Sequence, residues 1–434
     1  MMPALVTLMT ALFAWLTPAP QTDRLTRDFS FNRAGEGVAT IRAGCARCDW
    51  GEPGREAAVL RLSVDGAYSQ HVFLSRGEQP ADYRVQLGPL APGRHELRIE
   101  RDPELSARGA GPATIDVSSV DLVAAGSDDF TAQSMAPIVY ARPNTVGKFT
   151  DIPLLMWYEV ERTARGRQFR YSVIFSNEDG GTQTDRLMAT WGRTTDIEFI
   201  YGVELDEAGR TLAEEFQGPG HEVPAFKGQH DARHPLVWVS TDNNMVSESG
   251  PTRIRYALEA MKFDLTNTSR EAVMDANPWT YAIASLEMRR EGKIVGDAPP
   301  GDNTIPDPRR FVYVEACGQV GNAALAIAIG VRDQWISSDR GLRQYRIVRD
   351  GCFRIATPLP PGTRALDIRA IRVQAFERPA TNGAAPQPPD PVHLTRINKA
   401  FMLDDHYLPG PSIMRWEGMA TIRAGGSPFE VKVP

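Results

Sequence analysis

The chain has 434 residues, a formal net charge of -6 and 42% hydrophobic residues. It carries no basic patch, so nucleic acid is not an expected partner. Beyond the N-terminus no stretch reaches the about 20 apolar residues of a spanning helix, so no membrane span is expected in the mature chain.

In chain order, Ala4 to Leu16 is an apolar run of signal-peptide length. It ends in Thr17-Pro-Ala-Pro20 and gives way to polar Gln21-Thr-Asp-Arg24. Residues 1–20 therefore read as an export signal, too short to span a membrane; a buried N-terminal helix is the competing reading. The expected location is secreted or periplasmic. About 410 residues remain, enough for two to four domains.

Four cysteines in an exported chain favour two disulfides, Cys45–Cys48 and Cys317–Cys352. The second closes a long loop and contributes about 3–4 kcal/mol on the chain-entropy account. Cys45-Ala-Arg-Cys48 has redox spacing but precedes Gly51 and Pro53, where a redox motif would open a helix. It reads as a loop staple. A four-cysteine zinc site lacks its paired spacing.

The predicted fold is mostly β and multidomain. Residues 25–130 read as an N-terminal β-sandwich. Ala58–Val64 and Tyr68–Leu74 flank Asp65-Gly66, a hairpin signal. Tyr83–Leu87, His95–Ile99 and Ala113–Val123 follow, punctuated by Gly and Pro. The pattern of these strands resembles accessory sandwiches of the carbohydrate-binding type; such a likeness does not carry function.

Residues 135–295 form a central β-rich module. Phe169–Phe175, Thr195–Leu205, Pro235–Thr241 and Tyr281–Met288 read as strands. Thr211–Phe216 reads as a helical turn, and Ser269–Met274 as a short helix capped by Ser269. Gly296–Pro308 is a linker by composition. Residues 309–434 form a C-terminal β-domain, with strands at Phe311–Glu315, Ala324–Val331, Arg343–Val348 and Leu366–Phe376. Leu366, Ile368 and Ala370 share one face of the last. Pro379–Pro391 reads as a disordered excursion.

The candidate chemistry lies in the central module. Asn177-Glu-Asp-Gly-Gly-Thr182 follows a strand and joins carboxylates to a flexible backbone. Glu178, Asp179 and Asp185 are candidate oxygen ligands for Ca²⁺, though the spacing is not that of an EF-hand; the bland reading is a Gly-Gly turn with solvated acids. In Trp191-Gly-Arg-Thr-Thr-Asp-Ile-Glu198, Asp196 and Glu198 point to one strand face, about 7 Å apart. Two such carboxylates suit the acid and base of glycoside hydrolysis, and Arg193 can hold one of them ionised. The alternative is the polar outer face of a half-buried strand.

His221, His230 and His234 cluster in sequence, on loops by the flanking Gly228 and Pro235. They are candidates for substrate contact or, with Asp231, for a transition metal. Asp242 and Asn243 follow a strand end and can hydrogen-bond sugar hydroxyls, or form an Asx-turn. Trp191, Trp238, Trp279 and Tyr281 are candidates for an apolar platform, against the commoner fate of aromatic rings in a core. No nucleophile elbow, P-loop or dinucleotide fingerprint is present.

The function this pattern predicts is a secreted polysaccharide-active hydrolase. Its acid and base would come from Asp196, Glu198, Glu178 and Asp179. Arg193, Trp191, the three histidines, Asp242, Asn243 and Trp279 would contact substrate. One alternative is a non-catalytic glycan- or surface-binding protein stiffened by Ca²⁺; another is a metal-dependent hydrolase at the histidines. The expected partner is carbohydrate or another extracellular polymer. Substrate, metal identity and oligomeric state are not encoded in any motif.

Overall fold

A computed structural model describes residues 21–143, 145, 147–178, 180–378 and 388–433. The export-signal segment 1–20, Asp179, and residues 379–387 of the Pro-rich excursion lie outside the described residues.

The N-terminal strands are β1 (Gln21–Thr22), β2 (Arg24–Phe31), β3 (Gly35–Cys45), β4 (Val59–Val64), β5 (Ala67–Phe73), β6 (Ala81–Leu90), β7 (Gly93–Asp102) and β8 (Ala113–Ala124). They form two four-stranded sheets, β1-β8-β3-β6 and β2-β7-β4-β5. In β4, Leu60 and Leu62 are buried while Arg61 between them is exposed, so the leucine face turns to the space between the sheets. Val85, Leu97, Ile99 and Ile115 fill that space from the facing strands. The Asp65-Gly66 hairpin turn joins β4 to β5.

The central module holds α1 (Asp128–Ser134), β9 (Ile138–Tyr140), β10 (Pro153–Arg162), β11 (Arg167–Phe175), α2 (Thr184–Trp191), β12 (Asp196–Leu205), β13 (Thr211–Glu215), β14 (His230–Asp231), β15 (His234–Val239), β16 (Val246–Ser247), β17 (Arg255–Tyr256), β18 (Ala260–Lys262), α3 (Ala272–Ala276) and α4 (Trp279–Arg290). One sheet runs β13-β12-β11-β10-β18; a smaller one runs β14-β15-β9-β17, with β16 on β15. Tyr171, Val173, Tyr201 and Val203 from the first sheet meet Val139, Val237 and Val239 from the second. The chain between β17 and β18 also closes the open side of the N-terminal sandwich: the Gln86 amide donates to the Ala257 carbonyl (2.8 Å), and the Ala257 amide to Gln70 Oε1 (3.0 Å).

The C-terminal strands are β19 (Phe311–Gln319), β20 (Ala323–Val331), β21 (Gln334–Ser337), β22 (Gly351–Pro358), β23 (Ile368–Glu377), β24 (Val392–Phe401), β25 (Met414–Ile422) and β26 (Phe429–Lys432). Sheets β22-β19-β24-β25 and β21-β20-β23-β26 face each other across Val314, Leu325, Ile327, Ile355, Ile371 and Leu394. The protein is thus mostly β and built of several β units. Both disulfides are present, Cys45–Cys48 at the end of β3 and Cys317–Cys352 between paired residues of β19 and β22. Among the described residues no helix is long and apolar enough to cross a membrane.

Several local expectations are corrected. Thr211–Glu215 is an edge strand, paired to β12, and not a helical turn. Tyr281–Met288 lies in α4, not in a strand. That segment is buried on nearly every side, which hides its helical period, while Pro278 sets the helical φ of -60° at its start. Ser269 does not cap α3; Glu271 holds that position, and the Ser269 hydroxyl donates to Glu315 (3.0 Å). Arg343–Tyr345 is a 3₁₀ turn, with only Ile347 bridged to Leu325. β23 begins at Ile368, leaving Leu366 88% exposed on the preceding turn.

The seam between the central and C-terminal units combines an apolar core with a buried ion cluster. Trp157, Ile174, Met188, Ile197 and Tyr281 pack against Phe311, Tyr313 and Phe401. Beside them Arg354 on β22 is fully buried. It donates to both oxygens of Asp275 on α3 (2.8 and 2.5 Å) and pairs with Glu315 on β19. Lys399 on β24 also reaches Asp275 (2.5 Å), while Thr268 and Asn398 donate to Glu315 (2.6 and 2.8 Å). Removing one member of such a set leaves a buried charge uncompensated. Arg354→Ala should therefore cost about 3–5 kcal/mol, read as a lower midpoint in urea unfolding; a midpoint equal to that of the parent chain would contradict this account of the seam.

Candidate functional site

β11 and β12 pair so that Asp196 lies opposite Phe175. The chain leaving β11 therefore carries Ser176, Asn177 and Glu178 past the start of β12. Strand alternation then separates the two faces of β12: Ile197 enters the seam core, and Asp196 and Glu198 point the other way. The approach to Asp196 comes from α2. Gly192 ends that helix with φ 62°, and a Cβ there would meet Arg354 Cγ at 2.6 Å. Glycine is required on both counts, and it delivers Arg193 to the site.

Two loops close over these residues. The Gly180 amide donates to the Asp242 carbonyl (3.2 Å), and a Cβ on Gly180 would lie 2.5 Å from Asp242 Cβ. Thr241–Asn244 is thereby held against Gly180 and Gly181. Asn244 is fully buried with φ 54°. Its side-chain nitrogen faces Asp196 Oδ2 (3.1 Å), the Asn177 carbonyl (3.2 Å) and Asp151 Oδ1 (3.3 Å). Asp151 is also left-handed, at φ 51°, and pairs with Arg142, which in turn pairs with Asp242. Left-handed residues other than glycine cost of order 1–3 kcal/mol and persist where the surroundings over-determine them. Asn244 Oδ1 has no hydrogen-bond partner among the described residues.

Three carboxylates meet here. Burial pushes the Asp196 carboxyl up to about 8, and the charge of Glu198 adds to that; Arg193 and the Asn244 amide act in the opposite sense. Burial also raises Glu178 to about 7, helped by Asp196. Glu198 is raised by burial too, but Arg270, the Gln217 amide and Arg193 favour its ionised form. Glu198 is half-buried and more accessible than Asp196, which is 1% exposed. Arg193 donates to Glu271 (3.0 Å) and to the Thr195 carbonyl. Gln217 donates to Glu198 and lies 3.4 Å from His221 Nδ1.

The structure thus brings together Glu178, Arg193, Asp196, Glu198, Asp242 and Asn243, with His221 on the rim through Gln217. Trp191 is half-buried beside Arg193. Other candidates lie elsewhere. Asp185 is buried in α2, accepting from Tyr345 (2.6 Å) and the Gly301 amide (2.8 Å) with Arg340 nearby; it ties the C-terminal unit to the helix. His230 pairs with Glu214 (2.9 Å), and His234 is buried against the Ala136 carbonyl (2.9 Å). The three histidines therefore keep separate partners, and among the described residues no group of three or more His, Cys, Asp or Glu side chains could hold a metal ion. Trp238 stacks on Tyr140 (4.3 Å), and Tyr281 packs against Tyr313 and Phe401. Trp279 lines a cavity of about 200 Å³ between the N-terminal sandwich and the central module, with Arg76 over its ring. Arg142, Asp151, Gln217, Arg270 and Glu271 have no motif to announce them; only their contacts place them at the site.

No family model and no curated protein matches this chain. Among solved structures it is similar to a family 35 carbohydrate binding module from an environmental isolate, at 16% identity over 25% of this chain and 74% of that one, with a TM-score of 0.16. It is also similar to a ruminal GH26 endo-beta-1,4-mannanase (11% identity, 30% of this chain, 25% of that one, TM-score 0.17). A family two carbohydrate esterase from Clostridium thermocellum in complex with cellohexaose is a third (16% identity, 29% of this chain, 32% of that one, TM-score 0.15). The chain spans about a third or less of the length of the last two. Likenesses of this size fix no activity.

The raised carboxylates make stability depend on pH. Folded Asp196 and Glu178 keep protons that the unfolded chain, near its ordinary values of 3.8 and 4.5, has already released. Their contribution is complete below those values and is lost as pH climbs through about 7 and 8. Asp196→Asn should therefore show a smaller fall in Tm between acid and mildly alkaline buffer than the parent chain. Parallel Tm–pH curves for the two would contradict the buried, protonated carboxyl.

Proposed function

We propose that this chain is a secreted glycan hydrolase whose acid and base are Glu178 and Glu198, with Asp196 buried beside them. The observation that supports the reading is the convergence of three carboxylates, each raised by burial, with Gln217, His221, Asp242 and Asn243 alongside. Glycoside hydrolysis needs one carboxyl group that is protonated and one that is ionised, on either side of the scissile bond. Environments that push the proton affinities of neighbouring carboxyls apart supply that division of labour.

Glu178 is the general acid of this proposal. Its proton passes to the glycosidic oxygen as the bond from that oxygen to the anomeric carbon breaks. Glu198, more accessible and kept closer to ionised by Arg270 and Gln217, is the base or nucleophile. It takes a proton from the attacking water, or attacks the anomeric carbon directly, in which case water then cleaves the glycosyl ester and gives its proton to Glu178. Asp196 lies too deep to touch a sugar; packed beside Glu178 out of water, it helps to raise the Glu178 carboxyl. Asp179, one residue on from Glu178, lies outside the described residues and takes no role in this scheme.

The test is release of reducing ends from a panel of polysaccharides by the parent chain and by Glu178→Gln, Asp196→Asn and Glu198→Gln. Loss of a positioned acid or base costs about 10²–10⁴-fold, so the two glutamate variants should fall by that amount. Parent activity should decline above about pH 7, as Glu178 gives up its proton. Full activity in all three variants would overturn the assignment. Glycan binding without turnover by the parent chain would replace the hydrolase with a binding protein.

A further inference from the structure

Beyond the carboxylates, two arginines in this region form no ion pair among the described residues. Arg349 lies with its guanidinium 3.7 Å from the centre of the Trp191 ring, and Arg193 lies 5.5 Å from the same ring. Arg349 donates to the Thr190 carbonyl (2.6 Å) and forms no ion pair among the described residues. Arg270, next in sequence to Glu271, spends its guanidinium on the Ile197 carbonyl and the Ser172 hydroxyl (3.3 Å each). It too forms no ion pair among the described residues; Glu198 is its strongest electrostatic neighbour of opposite charge. Glu271, the acid that acts most strongly on Arg349, is already engaged by Arg193.

Such an arrangement is costly without a ligand. Withdrawing a guanidinium from water is unfavourable unless an anion compensates it. Here burial, together with the like charges of Arg193 and Arg270, pushes Arg349 down to about 10. Both Arg270 and Arg349 nonetheless stay partly accessible, and none of their nitrogens is both sealed from solvent and unbonded. Their spare donors therefore remain open to a ligand. Guanidinium forks match carboxylate and sulfate oxygens geometrically, and the half-buried Trp191 ring beside them offers an apolar face to a sugar ring.

We propose that Arg270, Arg349 and Trp191 form an anion subsite beside the Glu178–Asp196–Glu198 cluster, and that the substrate is a glycan carrying acidic groups. This deepens the hydrolase reading, because the anionic sugar would sit next to the residues assigned to bond cleavage. Non-specific attraction does not account for such binding, since the chain's net charge of -6 repels polyanions.

Binding, unlike turnover, tests this whether or not the hydrolase reading survives. The full chain carrying Glu178→Gln would be run by affinity electrophoresis in gels containing polygalacturonate, dextran sulfate or neutral dextran. Retardation by polygalacturonate, by dextran sulfate or by both, without retardation by dextran, is the expected result; the first two gels separate carboxylate from sulfate recognition. Arg270→Gln and Arg349→Gln should each weaken binding about tenfold or more, the loss expected of one charged hydrogen-bonding group. Arg349→Lys, which keeps the charge but loses the fork and the stacking on Trp191, should recover only part of the binding. Arg162→Gln, which removes a guanidinium 82% exposed elsewhere on the molecule, should change nothing. Equal retardation by dextran, or unchanged binding in both glutamine variants with intact melting curves, would overturn the subsite.

Discussion

A charge withdrawn from water must be matched, and the seam between the central and C-terminal units is organised by that requirement. Arg354 cannot shed its proton, so Asp275 and Glu315 must stay ionised beside it, and both carboxyls are held below their usual range. This fixes α3 against β19, β22 and β24. Gly192 lies against the Arg354 side chain, and Glu271 offers its carbonyl to the same guanidinium (3.3 Å). Arg193, following Gly192 and bound to Glu271, is thereby fixed in turn. The candidate site thus inherits its geometry from the ion cluster through Gly192 and Glu271.

The site itself uses the opposite solution. Where the seam matches each carboxylate with a cation, the Glu178–Asp196–Glu198 cluster has fewer cations than acids, and protons make up the difference. Three carboxyls this close cannot all ionise in a poorly solvated space. The left-handed Asn244 and Asp151 fit the same picture. Their backbone conformations are sustained by the Arg142 pairs and by the loop closure at Gly180, and they hold an amide against Asp196. Cores elsewhere are ordinary: apolar faces of paired sheets, closed at the N-terminal end by the chain on either side of Ala257.

The mostly β architecture was legible because alternation and turn residues report strands directly. Asp65-Gly66 between two alternating runs is the clearest case, and the faces of Asp196 and Ile197 followed from alternation alone. The misreadings have physical causes. α4 is buried nearly all round, so no polar stripe reveals its helical period. β2, with the pattern Arg-Leu-Thr-Arg-Asp-Phe-Ser-Phe, is too polar for a strand signal and gains its place from pairing to β7. The histidines were close in the chain but diverge, since β14 and β15 pair as a hairpin and direct His230 and His234 to different neighbours. Two partners of the carboxylates come from far along the chain: Asn244 lies 48 residues from Asp196, and Arg270 is further still from Glu198. Sequence spacing carries no trace of those encounters; the tertiary fold creates them.

The most direct test is to observe the protons. Carboxyl C=O bands in infrared spectra, assigned by difference against Glu178→Gln, Asp196→Asn and Glu198→Gln, report which groups are protonated at each pH. The account predicts protonated bands from Asp196 and Glu178 that persist at neutrality and disappear through about pH 8 and about pH 7. Complete ionisation of all three groups in mildly acidic buffer would contradict it, and the cluster would then be an ordinary solvated patch of acids.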